Sequence, residues 1–487
     1  MGGSLGVYPS PLMRPNVLLI VLDAARADHI EPYGAPPGLT PAIADLASRG
    51  EVVERAYAAS CWTIPSHAAM FSGSPPRSIG MGKAPNGTPK SCRGPLEAAR
   101  DRLLAPVLND AGYDTRAVTA NAWLLPGSGF DIGFDQYELV RPSRQLKLDS
   151  DSRRERFSIA REAVLARADD GAGRTLDVLR EWTDQPRSKP FFWFVNLVEA
   201  HSPYLPPKPF NSLGPLGRLR ALGDARRYQK MDAIWLSYVG HLEVPKASLE
   251  RMRRLYRDSI RALDAWVGSV LEVLDTAGVL ADTQVLVTSD HGENLGENGT
   301  LGHAFSLDDR LLRVPLVSSG PTALDADEVT SLADIPRLIA DAIGLADHPW
   351  QERGIPRGTA VAQFDPPVGP EDPTVQEALG LWDLDAKGLP ALTSWLSAAT
   401  DGHHKLIRRN AVEELFDLTT DPWERAPRDP STPAHRAISN ELRAALDAAE
   451  AMEVAPPSTF GLDESGHDPG ADEARELEER MKLLGYM

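Results

Sequence analysis

The fold of this chain is decided by the stretch NVLLIVLD at residues 16–23. Its apolar, mostly branched side chains are typical of a strand that is buried on both faces. A second run, VLVTS at residues 285–289, leads into Asp290 and His291. In an open α/β sheet, ligands bind just beyond the carboxyl ends of the strands. Asp23 at one strand end, and Asp290 with His291 at the other, are therefore candidate ligands of a divalent cation.

The composition is that of an ordinary globular protein. The chain has 487 residues, of which 42% are hydrophobic and 25% are charged, enough for one large α/β domain and a smaller one. A net charge of −18 argues against a nucleic-acid partner. The only two cysteines, Cys61 and Cys92, make a disulfide framework unexpected, although their pairing stays open.

The N-terminal residues carry no basic segment followed by an apolar one, so we expect no secretory signal. The apolar run at 17–22 is far too short to cross a bilayer. These features predict a cytoplasmic protein without a membrane partner, and they leave the oligomeric state open.

Helical and strand-like patterns alternate through residues 14–350. This alternation predicts a catalytic α/β domain with a mixed, mainly parallel sheet flanked by helices. Beyond it, the runs HKLI at 404–407 and ELFDL at 414–418 predict two short antiparallel strands. We assign them to a smaller C-terminal α+β domain at 351–452. The acidic tail at 453–487 receives no function.

Several helices follow from their boundary residues. Pro65 suits a first helical position and Gly73 a helix end, so we expect Thr63 just before a helix N-terminus. The patterns at 96–111 and 249–276 also predict helices. The highly charged segment at 139–172 predicts an exposed insertion, and the chain has no internal repeat.

Three motifs together resemble the sulfatase family, which belongs to the alkaline phosphatase superfamily. They are NVLLIVLD at 16–23, WTIPSH at 62–67 and SDHGE at 289–293. Each motif is weak alone, but they occur in family order and form a specific combination. Further matches bring the resemblance to residues 14–425: they are Gly302-His303, VPL at 314–316 and ELFDLTTDP at 414–422.

The resemblance implies that Asp23, Asp290 and His291 hold a metal, with Thr63 as nucleophile and fourth ligand. A hydroxyl bound to a divalent cation loses its proton more easily, and a helix N-terminus favours an anionic group. Such a site suits in-line attack on tetrahedral phosphorus or sulfur. Ala24 follows Asp23 where many sulfatases have a second aspartate for calcium. We therefore expect one divalent metal ion, Mn²⁺ or Zn²⁺ before Ca²⁺ or Mg²⁺.

The sequence departs from classical sulfatases at the nucleophile. Thr63 occupies the position of the cysteine or serine that becomes formylglycine, and His67 occupies that of an arginine. Threonine cannot yield the aldehyde, so we expect no formylglycine. Without the aldehyde hydrate, a sulfated enzyme cannot release sulfate by elimination and must be hydrolysed at sulfur instead. A phosphothreonine intermediate, in contrast, can be resolved by water that attacks phosphorus. We thus predict a hydrolase of small anionic phosphate or phosphonate-type esters, acting through a covalent Thr63 intermediate.

Three alternatives stay open. The enzyme could transfer a phospho-type group to a small acceptor alcohol, or hydrolyse sulfuric esters without formylglycine. A catalytically inactive family member that binds a ligand is the third alternative, and the intact Asp23, Thr63, Asp290 and His291 argue against it.

Further candidates surround the predicted site. His201 follows a buried strand and is a candidate for contact with a substrate oxygen or for leaving-group protonation. His303 matches a family position that contacts the transferred group, and it is the alternative to His201 as the residue that protonates the leaving oxygen. His67 and Asn121 are candidate substrate-binding residues. The alternatives are that His67 is simply exposed and that Asn121 forms an Asx turn.

A second metal ion could be held by His201, His303 and Glu199, but we favour a single metal ion. Ser66 is a rival hydroxyl to Thr63.

Overall fold

A computed structural model of the protein describes residues 14–84, 87–140, 153–352, 354–367 and 388–454. The strands of this part of the chain form four sheets. In chain order they are β1 (Asn16–Leu22), β2 (Glu51–Val52), β3 (Arg55–Tyr57), β4 (Asp114–Thr119), β5 (Gln136–Leu139), β6 (Phe191–Leu197), β7 (Thr283–Thr288), β8 (Asn294–Leu295), β9 (Leu301–Gly302), β10 (Arg313–Val314), β11 (Leu316–Ser319), β12 (Val329–Ser331), β13 (Ala360–Phe364), β14 (Leu396–Thr400), β15 (His404–Arg409) and β16 (Val412–Asp417).

The helices surround the largest sheet or pack on the C-terminal one. They are α1 (Pro41–Ser48), α2 (Thr63–Ser72), α3 (Arg93–Ala98), α4 (Leu104–Asp110), α5 (Arg153–Leu165), α6 (Ala172–Thr183), α7 (Pro215–Tyr228), α8 (Met231–Tyr238), α9 (Lys246–Thr276), α10 (Asp309–Leu312), α11 (Ile335–Ala342), α12 (Gly388–Thr393) and α13 (Arg436–Ala451).

The central sheet has seven strands in the order β2-β11-β7-β1-β6-β4-β5. The five from β7 to β5 run parallel, whereas β11 and β2 run antiparallel to their neighbours. The predicted mixed, mainly parallel sheet is therefore confirmed. Val21 lies opposite both Asn196 of β6 and Thr288 of β7, so these three strands end side by side. This register places Asp23 and Asp290 at one edge of the sheet.

Strand β1 is buried on both faces, as its apolar sequence predicts. Val17, Leu19 and Val21 pack into one core cluster, which also contains residues of α2, α4 and α11. The alternate residues of β1 pack into a second cluster with α1, α6 and α9. Side chains of a strand alternate between the two faces of its sheet, so one apolar run can join both cores.

Two predicted elements differ from the structure. The helix predicted at 96–111 is broken into α3 and α4, with Leu103 in an extended conformation between them. Pro106 explains the break, since it lacks an N–H and fits only the first turn of a new helix. In addition, Thr63 is the first residue of α2 rather than the residue before it. Of the charged segment at 139–172, residues 141–152 lie outside the described part.

The C-terminal sheet is antiparallel, in the order β13-β14-β15-β16. The two short strands predicted at 404–407 and 414–418 correspond to β15 and β16. The proposed division at residue 350 stays a prediction, and residues 455–487 of the predicted tail lie outside the described part. Helix α13 covers this sheet and shares an apolar cluster with it.

The structure also bears on the cysteines and on possible membrane spans. Cys61 and Cys92 are both buried and form no disulfide. Among the described residues, no helix combines the length and the apolar character that a membrane span requires.

Lys405 connects the C-terminal sheet to the rest of the molecule. Its side chain is fully buried, and its ammonium group forms ion pairs with Asp309 and Glu424. It also donates to the carbonyl of Leu307 at 3.1 Å. Removing one member of such a group leaves buried charge without compensation.

Lys405→Met should therefore lower the free energy of unfolding by about 3–5 kcal/mol. Chemical denaturation followed by circular dichroism measures this change. Arg174→Met is the matched control, because Arg174 is about half exposed and pairs with Glu138 and Glu181 on the surface. Its expected effect is within about 1 kcal/mol. Equal effects of the two substitutions would contradict the role given to Lys405.

Candidate active site

Asp23 is fixed by the loop that follows β1. Its backbone N–H donates to the carbonyl of Leu197 at 2.8 Å. Ala24 has a φ of 60°, which is strained for a residue with a Cβ. The hydroxyl of Tyr256 accepts from Arg26 N at 2.9 Å and donates to Ala24 O at 2.7 Å. Tyr256, on α9, thus holds the strained turn that orients Asp23.

The second strand-end loop is hydrogen-bonded to the first. Ala24 N donates to Asp290 Oδ1 at 3.3 Å, and Ala25 N donates to Ser289 Oγ at 2.9 Å. Ser289 Oγ in turn donates to His291 O at 2.6 Å. These bonds fix the relative positions of Asp290 and His291 and of the loop that carries Asp23.

Helix α2 begins against these loops. Ser66 Oγ donates to Asp290 O at 2.6 Å, so the rival hydroxyl is engaged with backbone. Asn121 Nδ2 donates to Asp23 Oδ2 at 2.6 Å and lies 3.4 Å from Thr63 Oγ1. Thr63 and Asn121 are both buried. The amide of Asn121 therefore joins the predicted nucleophile to a predicted metal ligand.

Three buried ligand atoms converge, and none has a hydrogen-bond partner among the described residues: Asp23 Oδ1, Asp290 Oδ2 and His291 Nε2. His291 Nε2 lies 3.8 Å from Asp23 Oδ1 and 3.4 Å from Asp290 Oδ2. Ligand atoms of the three residues lie within 4.8 Å of one another, and no other such group of His, Cys, Asp and Glu is found in the described part of the chain.

The electrostatics of this group fit a divalent cation. Burial raises the pKa of Asp23, and the neighbouring Asp290 carboxylate raises it further. Burial also raises the pKa of Asp290 and lowers that of His291 to about 3. Two buried carboxylates resist ionisation unless a positive charge compensates them, and a neutral imidazole offers a lone pair. Oxygen and nitrogen donors of this kind suit Mn²⁺ or Zn²⁺.

His303 and His201 lie beside the metal-site candidates. The ring of His303 stacks on His291, with 4.4 Å between centroids, and His201 meets His303 edge-on at 4.7 Å. Glu293 Oε1 lies 3.1 Å from His303 Nδ1 and accepts a hydrogen bond from it when Nδ1 is protonated. Both histidines line a cleft that opens to solvent.

His67 lies away from that cleft. Its ring is fully buried, and its Nδ1 lies 2.9 Å from Thr63 O and 3.4 Å from Asp290 Oδ2. Phe71, Phe130 and Phe194 meet the ring edge-on at centroid distances of 6.0–6.3 Å. This placement favours support of the start of α2 and of Asp290 over the substrate contact that the sequence suggested.

Glu199 also lies apart from the three ligand atoms. Its Oε1 accepts from Ala172 N, at the start of α6, at 2.8 Å. Burial raises the pKa of Glu199 to about 8, and Asp170 and Asp169 add to this effect. The placement gives no support to Glu199 as a ligand of a second metal.

Some residues of the site were not predicted from the sequence. Glu293 directly follows the Asp290-His291-Gly292 motif, and this proximity could have indicated that it belongs to the site. Trp62 and Trp123 flank Thr63 and Asn121, and both line the cleft. Their proximity in sequence to candidate residues could have indicated a wall of the site.

The comparisons with known proteins identify the family. The sequence model of the family described as Sulfatase matches residues 15–345, more than half of the chain. The chain therefore belongs to the sulfatase family, whose enzymes are hydrolases of the alkaline phosphatase superfamily.

Two curated relatives and one solved structure illustrate the relationship. Choline-sulfatase of Rhizobium meliloti (strain 1021) is 26% identical over 302 residues, covering 58% of this chain and only 56% of that enzyme. The multifunctional alkaline phosphatase superfamily protein PehA of Trinickia caryophylli is 23% identical over 375 residues, 63% of this chain and 68% of that protein. The phosphonate monoester hydrolase of Agrobacterium radiobacter superposes with a TM-score of 0.59 at 20% identity, covering 91% of this chain and 96% of that one.

The buried Glu199 gives a prediction for the pH dependence of stability. Its pKa is about 8 in the folded chain, against 4.5 for an unperturbed glutamate. Between these values the folded state binds a proton that the unfolded state does not, so the contribution of Glu199 to stability falls as pH rises. Glu199→Gln removes this loss and retains the acceptor for Ala172 N.

Thermal unfolding at pH 5 and pH 8 tests this expectation. The melting temperature of Glu199→Gln minus that of wild type should be larger at pH 8 than at pH 5. The same difference at both pH values would show that Glu199 is ionised in the folded protein.

The metal-site candidates give a second prediction. Asp290→Asn keeps the side-chain shape but removes one of two neighbouring buried charges. Without added cation, the variant should be at least as stable as wild type. Mn²⁺ or Zn²⁺ should raise the melting temperature of wild type, because a ligand that binds only the folded state stabilises it, and should leave that of the variant unchanged.

Asp264→Asn is the control, since Asp264 is a buried carboxylate that accepts from Ala42 N and Ile43 N at the start of α1. It should retain the metal-dependent rise. A rise in Asp290→Asn equal to that of wild type would exclude Asp290 as a ligand.

Proposed function

We propose that the protein is a metal-dependent hydrolase of phosphate or phosphonate-type esters that uses Thr63 as its nucleophile. One observation carries this proposal: three buried ligand atoms, which make no hydrogen bond within the described part of the chain, converge beside an amide that also reaches the Thr63 hydroxyl. Asp23, Asp290 and His291 would hold one divalent cation, with Thr63 as a fourth ligand. Such a cation stabilises developing negative charge and lowers the pKa of a bound hydroxyl.

The position of Thr63 supports its role. It is the first residue of α2, where backbone N–H groups and the helix dipole favour an anionic group. Asn121 lies within reach of Thr63 Oγ1 and would keep it oriented while donating to Asp23. We further propose that Asn121 contacts the substrate oxygens when substrate is bound.

The reaction would proceed in two displacements. Thr63 reacts as the alkoxide, its proton having left to solvent; the Oγ1–P bond forms as the bond from phosphorus to the ester oxygen breaks. His201 gives a proton to the leaving oxygen, and His303 contacts the transferred group. Water then attacks phosphorus, the P–Oγ1 bond breaks, and a proton of that water returns to His201.

The comparisons also favour a second candidate, hydrolysis of sulfuric esters without formylglycine. The family model and the choline-sulfatase relative support this candidate, because both carry the name of sulfatases. The names of PehA and of the phosphonate monoester hydrolase instead support hydrolysis of phosphorus esters. The threonine at position 63 makes phosphorus chemistry our first choice.

A substrate panel tests the proposal. Wild type and Thr63→Ala are assayed on 4-nitrophenyl phosphate, bis-4-nitrophenyl phosphate, 4-nitrophenyl phenylphosphonate and 4-nitrophenyl sulfate, each with Mn²⁺, Zn²⁺, Ca²⁺ or Mg²⁺. We expect turnover of a phosphorus ester that falls by roughly 10³-fold or more in the variant, the scale seen when a nucleophile is removed.

Ser66→Ala is the matched control, because it deletes a neighbouring hydroxyl bonded to Asp290 O. It should lose less activity than Thr63→Ala. Turnover of the sulfate ester alone would favour the sulfatase candidate. A product that forms only in the presence of an added alcohol would instead identify a transferase.

A further inference from the structure

A cleft lies over His201 and His303, and apolar side chains, half of them aromatic, line most of it. It encloses about 910 Å³, counted to include the part open to solvent, within the usual range for small-molecule sites. Seven separate segments of the described chain supply its walls, including α8 and the C-terminal strand β13. The main apolar wall residues are Trp62, Trp123, Met231, Trp235, Phe305 and Phe364.

The cleft is continuous with the candidate active site. His201 and His303 line it, and His303 stacks on the metal-ligand candidate His291. Trp62 immediately precedes Thr63 in the chain. A group held in the cleft would therefore be attached to the atom that Thr63 attacks, on the side where His201 can protonate an ester oxygen.

Carbon atoms make up most of the walls, although Lys83, His201, Ser202, His303 and Asp365 also line the cleft. The indole nitrogens of Trp62 and Trp235 are buried, so the parts of these rings that reach the cleft are carbon. The Asp365 carboxylate accepts from Arg77 Nε at 2.6 Å. Lys83 Nζ donates to Pro366 O at 3.2 Å.

This lining discriminates between classes of alcohol. A polyhydroxylated group such as a sugar would lose its hydrogen bonds to water and find few replacements, which is unfavourable for each unpaired hydroxyl. An alkyl or aryl group gains free energy from leaving water in proportion to its buried apolar area. Lys83 also disfavours a cationic group, since the carboxylate among the described lining residues, Asp365, is paired with Arg77.

We propose that the cleft binds the alcohol portion of the ester and that this portion is apolar, either alkyl or aryl. The proposal names the substrate class of the hydrolase described above and rests on that function. Binding of the apolar group requires no turnover, so the two can be tested separately.

Calorimetry with the Mn²⁺- or Zn²⁺-loaded full chain and a series of alkylphosphonates tests the proposal. Methyl-, butyl- and hexylphosphonate share a head group and are not esters, so they cannot be hydrolysed. Affinity should rise about two- to fourfold for each added methylene group, as expected for burial of a hydrocarbon chain. Equal affinity along the series, or no binding by any member, would overturn the proposal.

A second comparison uses a neutral and a cationic ligand of the same shape. Their relative affinities distinguish binding of an apolar group from binding of a quaternary ammonium group by the aromatic walls. The pair is 3,3-dimethylbutylphosphonate and 2-(trimethylammonio)ethylphosphonate. We expect the neutral member to bind more tightly. Tighter binding of the cationic member would overturn the proposal in favour of cation–π recognition.

Met231→Gln tests the assigned wall, because it keeps the side-chain length and adds a polar amide. It should weaken hexylphosphonate binding by about fivefold, roughly the effect of one to two buried methylene groups, and leave methylphosphonate binding unchanged. Leu216→Gln on α7 is the control, since Leu216 is 60% exposed and lies outside the cleft. Equal effects of the two variants on hexylphosphonate would contradict the assignment.

The two proposals fail in distinguishable ways. Chain-length-dependent binding without hydrolysis of any ester would support the apolar cleft and contradict the proposed hydrolase. Hydrolysis that depends on Thr63, combined with binding independent of chain length, would contradict the apolar cleft alone.

Discussion

The active-site end of the sheet depends on the burial of two carboxylates and an imidazole whose inward-facing atoms make no hydrogen bond within the described part of the chain. These atoms are Asp23 Oδ1, Asp290 Oδ2 and His291 Nε2, and all three are buried. Burying such groups is unfavourable unless a positive charge compensates them. A divalent cation would satisfy all three at once.

The central sheet places the three residues, and hydrogen bonds between loops orient them. Parallel pairing of β1 with β7 ends both strands at the same level. Ser289 and Tyr256 then fix the turns on either side, and the strained backbone at Ala24 is retained between them. Strain at a site persists only where its surroundings hold it, as they do here. Thr63 reaches the same place because α2 starts against Asp290 through Ser66.

The sequence alone predicted candidate ligands at the edge of the sheet, because the rule that connects strand ends to ligand sites needs only local sequence patterns. Asp23, Asp290 and His291 each follow an apolar run directly, and parallel strands bring such positions together. The same reasoning placed His201 near the site, since it follows β6, the other neighbour of β1. Gly73 marked the end of α2, but that helix begins at Thr63 rather than after it, and Pro106 divides another predicted helix into α3 and α4.

The remaining features depend on tertiary packing. His67 is a polar residue in the first turn of a helix, where exposure would be expected from the sequence. In the structure, three phenylalanines from different parts of the chain enclose its ring. The walls of the cleft come from residues more than 300 positions apart, such as Trp62 and Phe364, so no local pattern could predict their meeting. Glu199 was a plausible ligand by position, but its side chain points to the start of α6.

Anomalous X-ray diffraction from crystals grown with Mn²⁺ or Zn²⁺ shows directly whether the three buried ligand atoms bind a cation. We expect one strong peak within bonding distance of Asp23 Oδ1, Asp290 Oδ2 and His291 Nε2, with Thr63 Oγ1 as a fourth ligand. A peak elsewhere, or no peak between these three atoms at saturating cation, would show that they do not form the metal site.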